Sequence, residues 1–170
     1  MHMTLYTLPG PWEGQLSVAG RPHGGDALHA EIMAWRSSRI CTVVSLLSSR
    51  ETAELELQDE EEICFLNQIE LISFPIEDRG VPSTYAPAVD LLRDLDSRLA
   101  RGENILIHAC QGVGRPTIIA AGVLISRGFD AAKAVKRVNT ARGVMVPETR
   151  EQLEWLSGLT YHMTAAPLAR

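Results

Sequence analysis

A chain of 170 residues that is 45% hydrophobic and 22% charged carries enough apolar material for one core of ordinary size, which excludes intrinsic disorder and a miniprotein dependent on staples. Its two lysines and fourteen arginines face 21 acidic side chains, a formal net charge of -5, so a broad nucleic-acid surface is not expected and any anion must be held locally. Cys41, Cys64 and Cys110 are odd in number and widely spaced, which suggests neither a disulfide framework nor a metal site and fits a reducing cytoplasm.

No apolar run reaches the roughly 18 residues a membrane span needs, and the N-terminus lacks the order of a signal peptide. Met1-His2-Met3 reads as a remnant of cloning. Breakers crowd the first twenty-five residues and leave room for short strands near Leu5–Leu8 and Gln15–Ala19. Asp26 can then cap a helix whose Leu28, Ile32 and Trp35 recur at helical spacing. The β-branched run from Ile40 to Leu47 suits an interior strand covered on both faces, and Ser49 opens an acidic helix. Residues Glu54 to Glu62 carry six acidic side chains with no interleaved histidine, the pattern of a solvated helix face, and no function is assigned to them.

A second strand is expected over Ile69–Ile76, ending in the loop Glu77-Asp78-Arg79-Gly80-Val81-Pro82. Val89, Leu92, Leu95 and Leu99 define one face of a helix over Ser83–Arg101. The strand Asn104–His108, a glycine-rich turn and an apolar helix over Pro116–Arg127 follow. Two more helices are expected at Asp130–Arg142 and Pro147–Leu159. Strands alternating with helices predict an α/β fold, a three-layer sandwich whose central, mostly parallel sheet of four to five strands is flanked by helices. One domain spans residues 1–170, with 1–3 as the remnant and 160–170 as a flexible tail. Trp12, Trp35 and Trp155 are assigned to the core or its rim.

The chemistry is concentrated in Ile107-His108-Ala109-Cys110-Gln111-Gly112-Val113-Gly114-Arg115-Pro116-Thr117, where a strand runs through a tight turn into a helix. Turn amides can converge on one point, the helix N-terminus adds its positive end, and Pro116 suits a first helical position. Gly112 and Gly114 permit the left-handed or strained backbone of such a nest, while Arg115 offers a bidentate fork to phosphate oxygens.

This segment resembles the signature loop of the cysteine-dependent protein phosphatases of the tyrosine and dual-specificity type, whose pattern is His-Cys, five residues, Arg, then Ser or Thr. Arg115 falls on the family arginine, His108 on its histidine and Ala109 on its nucleophile. Phe74 to Pro82 is similar to the family's general-acid loop, with Asp78 as the acid. The resemblance spans roughly Leu16 to Trp155. It implies catalytic positions at Asp78, Ala109 and Arg115, and substrate contacts from His108, Cys110, Gln111, Gly112, Val113, Gly114 and Arg115. It also implies a cysteine thiolate that attacks phosphorus, an acid that protonates the leaving alkoxide, and water that hydrolyses the phosphocysteine. A family glutamine that positions this water has Gln152 as its candidate here, against a plain polar helix face. No metal or cofactor is expected, and the implied partner is a phosphorylated protein or a small phosphomonoester, with no nucleic acid or membrane.

Two positions depart from the pattern. Ala109 has no nucleophile, and Pro116 replaces the hydroxyl that would help the thiolate leave, so the chain as written should not turn over phosphate esters. Three explanations stand open: a Cys→Ala substrate trap, favoured by Met1-His2-Met3; a natural pseudophosphatase, favoured by the joint loss at 109 and 116; and a sulfurtransferase-like use of Cys110 in a loop one residue shorter. The first ranks slightly above the second, and the third well below. Gln111 and Val113 are uncharged, which favours phosphotyrosine or another simple phosphomonoester over a polyphosphorylated inositide.

Overall fold

The computed structural model describes residues 3–164, so Met1, His2 and residues 165–170 of the expected tail lie outside the described residues. Five strands, β1 (Tyr6–Leu8), β2 (Leu16–Ala19), β3 (Ile40–Ser45), β4 (Glu70–Ser73) and β5 (Asn104–His108), form one sheet in the order β1-β2-β5-β3-β4. Only β1 is antiparallel to its neighbour, and the other three pairings are parallel. At the centre, Ile105, Leu106 and Ile107 are inaccessible on both faces, as a parallel strand covered from two sides requires. His108 stands opposite Ala19 of β2 and Ser45 of β3. Three central strands therefore finish at one level, the edge where an open parallel sheet offers a crevice.

Seven helices cover the sheet: α1 (Leu28–Ser37), α2 (Ser49–Glu54), α3 (Glu60–Leu66), α4 (Tyr85–Ala100), α5 (Arg115–Ser126), α6 (Ala131–Arg142) and α7 (Arg150–Thr164). α4, α6 and α7 pack around α5, whereas α1 and α3 pack on each other and against β3 and β4. Every residue of α5 from Arg115 to Ile125 is buried, which explains why this helix is apolar all round. On α4 the stripe of Val89, Leu92, Leu95 and Leu99 is buried against that core, each side chain contributing on the order of 2 kcal/mol of transfer free energy. None of the described helices is long and apolar enough to cross a membrane.

Several expectations change. Asp26 lies within a short 3-10 turn, Gly25–Ala27, and caps nothing with its side chain. β3 and β4 are shorter than their apolar runs, and beyond them Leu46 N donates to His108 O and Ile76 N to Leu46 O as single links. The last helix begins at Arg150 instead of Pro147 and runs to Thr164, so residues 160–164 are helical and not a tail. His162 stacks on Tyr85 at 3.7 Å, which ties that final turn to α4. The acidic run is split between α2, a connecting turn and α3, and Glu60 is buried at 3% exposure, contrary to a wholly solvated face. Trp35 and Trp155 join the core, and half-buried Trp12 donates from Nε1 to Asp96 at 2.7 Å.

Candidate active site

β5 carries His108 to the sheet edge, and residues 109–114 turn back into α5. Gly112 has φ of +71°, and a Cβ there would lie 2.5 Å from the Ala19 carbonyl carbon, so both its conformation and the close approach of β2 demand glycine. Gly114 differs from expectation: its backbone is right-handed, with φ of -86°, and a Cβ there would meet the movable end of the Glu148 side chain, and Gln152 Nε2 at 3.1 Å. Pro116 is the second residue of α5, not the first, but still falls in the turn whose N–H groups have no helical partner.

The polarity of this turn follows from where its backbone groups go. Most of its carbonyls are bonded to the surrounding protein: His108 O accepts from Leu46 N at 3.0 Å, Cys110 O from Arg21 N at 3.0 Å, and Gly112 O from Arg142 Nε at 2.9 Å. Thr117 Oγ1 donates to the carbonyls of Val113 and Gly114. Among the described residues, no amide from Ala109 to Gly114 donates to a main-chain carbonyl. These donors are left to a cup of about 160 Å³ lined by residues 109–116 together with Glu51, Asp78, Arg79 and Glu148. The side chains alone would repel an anion, since three carboxylates face two guanidiniums. For an anion placed there, attraction would come from oriented amides and the α5 N-terminus.

Arg115 is 3% exposed and is held from behind. Its Nη1 donates to Glu51 Oε2 and to the Ile76 carbonyl, both at 2.9 Å, and its Nη2 donates to Glu51 Oε1 at 2.8 Å. Its Nε–H and the second Nη2 hydrogen remain for the cup, the parallel pair that matches two oxygens of a tetrahedral anion. Glu51 was not singled out from sequence. Burial pushes its carboxyl pKa up, but hydrogen bonds from Arg115 and from the Ser48 backbone outweigh this and hold it below the usual value. It also closes a capping box with Ser48, whose Ser-x-x-Glu spacing was the available signal.

Asp78 faces Arg115 Nη2 at 3.5 Å from the opposite wall, with 74% of its side chain exposed. The adjoining Arg79 adopts φ of +61°, an unusual conformation for a side chain of this size, and Gly80 N closes the turn on Glu77 O at 2.8 Å. The start of α7 holds this loop. Gln152 is fully buried; its Oε1 accepts from the amides of Glu148 and Thr149, and its Nε2 donates to Gly80 O at 3.1 Å. Glu148 adds an ion pair to Arg79 at 3.6 Å. Gln152 is therefore neither a solvated helix face nor a free amide over the cup, but a bridge between two loops.

Behind the cup, His108 Nε2 meets Glu60 Oε1 at 2.6 Å in a fully enclosed pair, while its Nδ1 finds no protein partner. Glu60 thereby sets the imidazole that ends β5. Beside it, burial and the charges of Glu60 and Glu61 push the Cys64 thiol up to about 12, which makes it inert. Cys110 is half-buried and lines the cup, and Ala109 forms its floor with a methyl group. No cluster of three His, Cys, Asp or Glu suited to a metal ion occurs among the described residues.

The sequence matches the family model for protein-tyrosine phosphatase over residues 36–161. The chain belongs to that family. No curated protein matches it significantly. Among solved structures, the fold is similar to kinase associated phosphatase with its catalytic-site cysteine changed to serine: 17% identity, TM-score 0.88, 98% of this chain and 99% of that one. It is similar to Tk-PTP in its active form, at 24% identity and TM-score 0.75 over 92% and 96% of the two chains. It is also similar to TpbA of P. aeruginosa in complex with pTyr, at 19% identity and TM-score 0.59 over 89% and 86%. As a protein-tyrosine phosphatase relative, the chain combines the family's sheet with a cup whose floor lacks a thiol.

Proposed function

We propose that this domain recognises phosphomonoesters of partner proteins, phosphotyrosine foremost, and that Ala109 arrests it as a binder in place of a hydrolase. The observation that carries this reading is the sorting of the loop backbone, with most carbonyls bonded to the surrounding protein and amides left to the cup above Ala109. Arg115 and the loop from Ala109 to Gly114 would hold the phosphoryl oxygens, while His108, expected among the substrate contacts, is enclosed behind the cup against Glu60; the uncharged Gln111 and Val113 suit a simple monoester. The pTyr complex of TpbA, a protein of similar fold, is in keeping with this substrate class.

With cysteine at position 109, the amides, the α5 N-terminus and Arg115 would favour the thiolate. Sulfur would attack phosphorus as the bond to the leaving oxygen breaks, and Asp78 would donate a proton to that oxygen. Water would then cleave the S–P bond, giving its proton to the Asp78 carboxylate and releasing phosphate and thiolate. With a methyl at 109 no S–P bond can form, and loss of the thiolate removes repulsion against the dianion. An Ala109→Cys protein assayed with an aryl phosphate tests this. A burst of phenol is expected, and its absence would remove the phosphatase reading.

A second reading, a natural pseudophosphatase, is favoured by Pro116. The nearest hydroxyl, Thr117 Oγ1, is already committed to the Val113 and Gly114 carbonyls and is unsuited to replace the family hydroxyl. Turnover by Ala109→Cys alone would contradict it, whereas turnover only after Pro116→Ser is added would support it.

A further inference from the structure

We infer that the outer face of α6 is a docking groove for an acidic peptide segment bearing apolar side chains, carried by the phosphorylated partner protein. This rests on the phosphoprotein reading for its biological setting, but its physical argument is separate. A groove of about 640 Å³ lies between α6 and the chain following β1. The protein has only two lysines, and both, Lys133 and Lys136, line it together with Arg137 and Thr140. Positions i, i+3, i+4 and i+7 place these four on one helical face.

Phe129 and Pro9 supply the apolar floor. Arg137 is held in place, its guanidinium 4.6 Å over the Phe129 ring and its Nη1 donating to Pro9 O at 3.1 Å. Lys136 and Arg137 meet no carboxylate among the described residues, and Lys133 has only an exposed contact with Asp130 at 3.8 Å. Elsewhere Arg50, Arg98, Arg101, Arg127 and Arg150 are each paired with a carboxylate, and Arg21, Arg36, Arg39, Arg93 and Arg142, which are not paired among the described residues, lie outside this groove; what sets the stripe apart is three cations together on one helical face. In a chain of net charge -5, an uncompensated cationic stripe above an apolar floor selects an acidic ligand with something apolar to bury.

The shape favours a peptide over a small ion. From Lys133 to Thr140 the stripe runs about 10 Å along the helix, the reach of roughly three extended residues. The helix that lines the groove also touches the loop that lines the cup: Arg142, at the end of α6, donates to Gly112 O and stacks its guanidinium 4.0 Å over Tyr6 of β1. A segment seated on α6 and a phosphate in the cup can thus belong to one partner.

The test measures fluorescence anisotropy of three labelled peptides with the full chain and with a Lys133→Glu, Lys136→Glu double variant; both lysines are exposed, and circular dichroism checks the fold. The first peptide is acidic and aromatic without phosphate, the second a phosphotyrosyl peptide with neutral flanks, and the third joins the two. The first is expected to bind the native chain and to lose at least tenfold in the double variant, while the second is unchanged and the third binds tighter than either. Equal binding of the first peptide to both proteins, no binding to either, or a preference for phosphatidylserine vesicles over that peptide would overturn the proposal. Failure of the second peptide alone would count against the oxyanion reading, while loss of the first on charge reversal would still support the groove.

Discussion

The two loops that face each other across the cup are held in opposite ways. Residues 109–114 lie between buried β5 and buried α5, and the carbonyls of Cys110, Gly112, Val113 and Gly114 are fastened to Arg21, Arg142 and Thr117. The Glu77–Pro82 loop is anchored chiefly by Gln152, with Asp78 mostly exposed. The 109–114 loop is thus fixed by several hydrogen bonds to its carbonyls, and the Asp78 loop by few contacts, chiefly the buried Gln152 and the Arg79–Glu148 pair. Substitutions behind the cup should accordingly cost stability and anion affinity together, whereas those under the Asp78 loop should alter the chemistry and spare the binding.

The largest effect is expected at Glu60. Replacing it with alanine leaves His108 enclosed without its hydrogen-bond partner, and unfolding in urea should show a loss of about 3 kcal/mol. Next, Gly112→Ala forces a side chain into left-handed backbone against β2. A loss of about 2 kcal/mol is expected from that strain alone, and titration calorimetry with tungstate should show binding falling at least tenfold.

Glu51→Gln sharpens the contrast through pH. The Glu51 pKa is depressed in the folded protein, so its contribution is present above the unfolded value near 4.5 and is lost as pH falls through the lower folded value. At pH 7 the variant should be less stable by about 1.5–3 kcal/mol, and the gap to the native chain should close below pH 4. A gap independent of pH would show that Glu51 acts by packing alone.

The smallest effect belongs to Gln152. In an Ala109→Cys background, Gln152→Ala should lower kcat severalfold while oxyanion affinity stays within twofold, because only the Asp78 loop is released. An equal loss in both would mean that the two loops are one unit.

Much of this was legible in the sequence because it depends on local pattern. The apolar run from Ile40 and the strand–turn–helix at 104–126 announced the central strands and the helix that must be buried. Gly112 and Arg115 announced the cup. What remained hidden depends on partners distant in sequence. Glu51 reaches Arg115 across 64 residues and Glu60 reaches His108 across 48, yet both sit in a stretch whose density of charge resembles a solvated face. Only the fold separates buried Glu60 and half-buried Glu51 from their exposed neighbours. Gly114 differs for a related reason: its backbone is right-handed, and its closest neighbours are the side chains of Glu148 and Gln152, more than thirty positions away.

A crystal structure of the unaltered chain with tungstate tests the central claim most directly. The ion is expected in the cup above the Ala109 methyl, about 3 Å from the amides that follow it and from Arg115 Nε, with Glu51 still gripping the far edge of that guanidinium. An empty cup under saturating tungstate, or loop carbonyls turned toward its centre, would contradict the account.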